Sequence, residues 1–117
     1  MNKKERKWSE FERDIMFVVV SAEISKAFIK YRKDNNLTQV QLAEILGVNQ
    51  VMVSKLESGD YNPTVKKVFQ FSWKLTNSPD FFVNILKNVE EGIKRHSGEH
   101  DGKIHPLKSI RDIENLK

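Results

Sequence analysis

Two helix starts and two helix stops crowd into the stretch from Leu37 to Gly59, and this punctuation constrains the chain more than any other feature. Thr38 followed three residues later by Gln41 reads as a capping box, in which each side chain satisfies a backbone N–H that the helix leaves open. Leu42, Ala43 and Leu46 supply the inward face of a short helix. Gly47 stops it, because glycine takes positive φ at no steric cost. Asn49 can then accept a hydrogen bond from an early N–H of a second helix, from Gln50 to Ser58, which stops at Gly59. Helices of roughly eight or nine residues are marginal alone, so each must bury its apolar side against a neighbour.

The rest of the chain carries the same periodicity. Strand-like alternation is nearly missing and no segment repeats at a fixed period, so an all-α domain is expected. Trp8 to Ile15 reads as a helix with Trp8, Phe11 and Ile15 on one side. The run Met16 to Val20 suits a strand or a buried helical turn and is read as helical. Ser21 is a candidate N-cap for a helix with Ile24, Ala27, Phe28 and Tyr31 inside, ending near Asp34-Asn35-Asn36. After the turn Asp60-Tyr61-Asn62-Pro63, Thr64 can cap a helix whose buried side would be Val65, Val68, Phe69, Ser72 and Leu75. Ser78-Pro79-Asp80 opens a last helix with Phe82, Ile85, Leu86, Val89 and Ile93 as its stripe. The expected organisation is an N-terminal helical extension over 1–20, a domain over 21–94 containing the motif 38–58, and a flexible tail over 95–117. Within that tail, Pro106 to Leu116 has the spacing of a weak helix.

The 117 residues suit one domain, and the absence of cysteine leaves packing as the stabilising device, in keeping with a reducing cytoplasm. The longest apolar run, Ile15 to Val20, is far below the ~18 residues of a membrane span, and the N-terminal sequence lacks a signal-type apolar core. A cytoplasmic protein without membrane contact is expected. A net charge of +4 favours a polyanionic partner. The excess lies toward the N-terminal half: nine basic and six acidic groups in residues 1–37 against seven and six in 87–117.

Two short helices joined by a Gly-containing turn make a helix-turn-helix when their buried positions force them to cross. Val48, Val53 and Leu56 point back toward Leu42 and Leu46, which leaves Gln50, Val51, Met52, Ser54 and Lys55 on the outer side. That side is polar, free of acid and short, which fits the major groove of double-stranded DNA. A glutamine there can donate and accept at once, and so pair with adenine N6 and N7. Apolar Val51 and Met52 suit thymine methyl groups.

The succession Leu37-Thr38-Gln39, Leu42-Ala43, Leu46-Gly47-Val48-Asn49-Gln50, Leu56-Glu57-Ser58-Gly59 and Asn62-Pro63 resembles the lambda-repressor/Cro-type (XRE family) helix-turn-helix, over about residues 22–77. The resemblance implies a lambda-repressor-like five-helix domain, here with an extra N-terminal helix. It implies that Gln39 anchors to backbone phosphate and buttresses Gln50, that Gln50 reads a base, and that Val51, Met52, Ser54 and Lys55 touch bases or flanking phosphates. Asn49, Tyr61 and Asn62 complete the candidate DNA-binding set. Arg32 is implied to pair with Glu57 in a structural role. The implied activity is sequence-specific transcriptional regulation, as a repressor, with no cofactor. The overall form also resembles antitoxins of HigA type, which bind a toxin and repress their own operon.

Other chemistries have little support. His96, His100 and His105, with Glu99 and Asp101 nearby, span two glycines without a rigid element to fix them, so no metal site is expected. No serine, histidine and carboxylate are spaced as a triad, and no enzyme is expected. Val65, Phe69, Phe82 and Leu86 are expected in the core. Trp8, Phe11, Phe71, Trp73 and Phe81 exceed what the helices can bury, which points to a protein partner: a homodimer first, a toxin or other protein second. The alternative of a different class is a protein-interaction module that kept the fold without binding DNA.

Overall fold

A computed structural model describes residues 7–97. Five helices make up the described residues: α1 (Glu10–Asp34), α2 (Gln39–Leu46), α3 (Gln50–Ser58), α4 (Val65–Thr76) and α5 (Asp80–Ser97). The sequence from 98 onward, including His100, His105 and the Pro106 to Leu116 segment, lies outside them.

The first helix is longer than its sequence signals suggest. Ser9 is its N-cap, accepting from the Glu12 N–H at 3.0 Å while the Glu12 carboxylate accepts from the Ser9 N–H at 3.0 Å. Ser21, expected to start a separate helix, lies in the middle of α1. The boundary drawn between residues 20 and 21 therefore falls inside one continuous rod. The β-branched run Val18-Val19-Val20 stays helical because Val19 is fully buried against α5, where Gly92 lets the helices approach closely. Packing gain outweighs the few tenths of a kcal/mol that such residues cost in a helix. α5 likewise continues through Arg95 to Ser97, past the position where the tail was expected to begin.

The core is built around Phe28 of α1, whose ring meets Phe71 at 5.8 Å and Phe81 at 5.0 Å, both edge-on. Leu42, Leu46, Val53, Leu56, Val68, Leu75 and Ile85 close around this cluster. Here the expected stripes of α4 and α5 are corrected. Phe71 and Phe81, read as surplus, are buried, whereas Val65, Phe69 and Leu86, read as core, are exposed. Both helices carry apolar residues on more than one side, and the demand of Phe28 for two ring partners selects the side that turns inward. Ser72 locks the result: its buried hydroxyl donates to the Ser78 carbonyl at 2.8 Å and accepts from the Phe82 N–H at 3.1 Å.

Candidate nucleic-acid interface

Local capping fixes where α2 and α3 begin. Thr38 and Gln41 form a reciprocal capping box, with Thr38 Oγ1 accepting from the Gln41 N–H at 3.0 Å and Gln41 Oε1 from the Thr38 N–H at 2.8 Å. Gly47 ends α2 at φ 76°, so α2 and α3 do not form a single straight rod. Lys74 of α4 reinforces that end, its Nζ donating to the Leu46 carbonyl at 3.1 Å where the negative end of the helix dipole favours a cation. Asn49 Oδ1 accepts from the Met52 N–H at 2.8 Å and caps α3. Neither α2 nor α3 carries an acid in its first turn.

Gln50, Val51, Ser54 and Lys55 are exposed along one edge of α3, and Met52 is half-buried. The inward side holds Val53 and Leu56, with Val48 packed against the core. Gln39, the first residue of α2, is drawn to this edge by the Gln50 side chain, whose Nε2 donates to Gln39 Oε1 at 2.6 Å. Tyr61 packs against the core. Asn62 is exposed and lines a groove of about 770 Å³ with Phe17, Ser21 and Lys33 of α1.

Behind the edge lies an ion pair. Arg32 Nε and Nη2 donate to Glu57 Oε2 and Oε1 at 2.6 and 3.1 Å, a two-pronged contact that joins α1 to α3, and Nη1 donates to the Leu37 carbonyl at 3.2 Å. Glu57 holds the Arg32 guanidinium charged: the hydrogen bond raises its pKa, partial burial opposes this, and the coulombic attraction adds to the rise. No spacing along the chain indicates that Glu57 also touches the exposed edge. Its Oε1 accepts from Gln39 Nε2 at 3.1 Å, so Arg32, Glu57, Gln39 and Gln50 form one chain of hydrogen bonds from α1 to the tip of α3. Val40, exposed beside Gln39, is a further apolar neighbour of this edge absent from the sequence-derived set. No pattern singles it out, since a lone valine at a helix start has the same spacing as a core residue.

The arrangement has the form that family comparison identifies. Residues 28–81 match the family model described as helix-turn-helix, HTH_3. The segment resembles an XRE-type helix-turn-helix domain. The chain is also similar to a solved structure described as an HTH_3 family transcriptional regulator from Vibrio cholerae, at 26% identity and a TM-score of 0.50. The match covers 57% of this chain and 38% of that protein, so the likeness extends over well under half of the relative. No curated protein matches, and neither comparison concerns an antitoxin. Among the described residues no helix is long and apolar enough to cross a membrane.

Proposed function

We propose that the protein is a sequence-specific DNA-binding transcriptional regulator, acting as a repressor, that reads the major groove with α3. The observation that carries this reading is the oriented carboxamide of Gln50. Glu57, as a carboxylate, only accepts hydrogen bonds, so Gln39 must turn its amide nitrogen toward Glu57 and its oxygen toward Gln50. Gln50 answers with one of its two N–H groups. Its second N–H and its oxygen remain for a base edge. Adenine supplies the complementary pair, an N7 acceptor and an N6 donor, worth about 1–3 kcal/mol of discrimination. Guanine would set its O6 against the glutamine oxygen and leave both unpaired.

The neighbouring residues fit supporting roles. Exposed Val51 suits a thymine methyl, Ser54 a base or sugar edge, and Lys55 a flanking phosphate. Gln39 keeps one N–H free, and Asn49 its amide, for phosphate oxygens at the positive ends of α2 and α3. The Tyr61 hydroxyl and the Asn62 amide suit backbone contacts beyond the end of α3. The net charge of +4 favours a polyanionic partner. Repression follows from occupancy, since a domain seated on an operator excludes whatever else must bind there.

Selection of bound duplexes from a random pool at two salt concentrations tests the proposal. Enrichment of a motif with a required adenine, and affinity that falls steeply with salt, is the expected result. A pool that stays random overturns it in favour of the protein-interaction module.

A further inference from the structure

The groove of about 770 Å³ that Asn62 borders runs between α1 and the residues that close α3, and the core leaves it open. It follows α1 from Phe17 to Lys33, about 24 Å at 1.5 Å per residue. Phe17, Val18, Ala22 and Ile29 give it an apolar lining, and Phe17 is 58% exposed. Lys26, Lys30 and Lys33, four and three residues apart, stand in a row on one side of the helix. Among the described residues that line the groove, Glu57 is the one carboxylate, and it is already committed to Arg32 and Gln39. Ser25, also in the lining, is only 9% exposed, yet its hydroxyl has no hydrogen-bond partner among the described residues. Buried hydroxyls are nearly always paired, so this one is suited to a polar group that enters the groove.

We infer that this groove docks an acidic amphipathic helix of a partner protein, its apolar side on Phe17, Val18, Ala22 and Ile29 and its carboxylates toward the three lysines. Charge complementarity selects the occupant. Three cations spread over about 10 Å of α1 call for a series of anions at the same pitch, which a helix with acids three and four residues apart supplies. A single anionic head group on an acyl chain would meet only one of them. The phosphates of DNA also form a series, but they have no use for the apolar lining. Small residues favour a helix as well: Ser21, Ala22, Ser25 and Gly59 let a backbone approach closely, as docking of a helix in a groove requires. Lys26 and Lys30 have contacts within α1 to exchange, with Glu23 at 3.2 Å and Asp34 at 2.8 Å, and Glu23 retains Arg95 at 3.8 Å. Ser58 and Asn62 border both the groove and the end of α3, so an acidic occupant sets negative charge beside the phosphate contacts proposed for Lys55 and Asn62. Docking and DNA binding therefore oppose each other, and this opposition, unlike the docking itself, rests on the DNA-binding reading.

Fluorescence anisotropy of the full chain with a labelled synthetic peptide of about 18 residues, leucines along one side and glutamates flanking them, tests the site. Micromolar binding is expected, weakened about tenfold or more when glutamines replace the glutamates or when the same residues are shuffled out of helical register. Phe17→Glu and Lys30→Glu should each raise the Kd by about tenfold or more, with helicity unchanged by circular dichroism. Lys87→Glu makes the same change of net charge on exposed α5 and should leave the Kd within about twofold. Saturating peptide should lower the affinity for the selected operator, and the operator that for the peptide, by one common factor. Absence of binding up to about 100 µM, equal binding of the glutamine or shuffled peptide, equal losses from Lys30→Glu and Lys87→Glu, or displacement of the peptide by laurate at comparable concentration overturns the inference. Peptide and operator that bind independently overturn the opposition between them. A chain that takes the peptide but enriches no duplex removes only the DNA-binding reading, and one that enriches a duplex but takes no peptide removes only the docking groove.

Discussion

Gln50 donates its side-chain Nε2 to Gln39 Oε1 over 2.6 Å, and the direction of that bond is imposed from behind. Gln39 has turned its own nitrogen to Glu57 at 3.1 Å, which leaves only its oxygen for Gln50. A carboxamide on a solvated helix end would otherwise present its two ends to a base with equal ease. The relay thus converts a charge fixed in the interior into a fixed order of acceptor and donor at the surface.

Removing the relay while keeping Gln50 isolates this effect. Gln39→Met should leave Gln50 in place but free to flip, lowering the preference for adenine over guanine at its position by about five- to tenfold, the worth of roughly one hydrogen bond. Competition binding with the selected operator and its adenine-to-guanine variant measures the ratio. An unchanged ratio means that the orientation of Gln50 is set by the base alone.

The base and phosphate contacts proposed for α3 should separate cleanly. Gln50→Ala is expected to cost about 1–3 kcal/mol on the selected operator and to relax a single base position. Lys55→Glu should weaken operator and random duplex alike and reduce the slope of log K against log salt by about one. Titrations at several salt concentrations distinguish them, and identical salt slopes for parent and Lys55→Glu would exclude a phosphate role for Lys55.

What could be read from the sequence, and what could not, follows the range of the forces involved. Thr38, Gln41, Gly47 and Asn49 act on backbone groups within a few residues of themselves, so α2 and α3 were legible in place and length. Val19 depends on Gly92, far along the chain, and nothing near Ser21 announces that the helix runs on through it. The stripes of α4 and α5 failed for a related reason. With apolar residues on several sides, helical spacing allows more than one inward face, and the choice belongs to Phe28. Gln39 and Gln50 emerged through the family's pattern, but the Glu57–Gln39 bond spans two helices and has no signature in spacing.

The Arg32–Glu57 pair is expected to be worth more to stability than a surface ion pair. Arg32→Met leaves the Glu57 carboxylate in a mostly buried place with Gln39 as its remaining side-chain donor, and should cost about 2–3 kcal/mol, below the ~3–5 of a fully buried pair because Arg32 keeps some contact with solvent. Adding Glu57→Leu should recover part of the loss. The raised pKa of Arg32 means that its contribution is complete below the unfolded guanidinium value and fades only as pH climbs through the higher folded value. Urea melts of parent and Arg32→Met should therefore differ by the same amount from about pH 6 to about pH 9 as far as Arg32 titration is concerned.

At Gly92 two tendencies oppose each other, and geometry decides between them. Glycine inside a helix costs about 0.8–1 kcal/mol relative to alanine, so Gly92→Ala would be stabilising on propensity alone. A Cβ built there stands 2.9 Å from Val19 Cγ1, a fully buried side chain with no room to yield. Overpacking of this kind costs about 1–3 kcal/mol, so the net effect should be destabilising, by up to about 2 kcal/mol. Val19→Ala alone should also destabilise by leaving a small cavity beneath α5. The double substitution refills that cavity from the other helix, so its cost should fall well short of the sum of the two. Denaturant melts of the four proteins give the coupling directly. Strict additivity would mean that α1 and α5 do not meet at these residues, and with that the continuous α1 would lose the contact that holds its valine run in a helix.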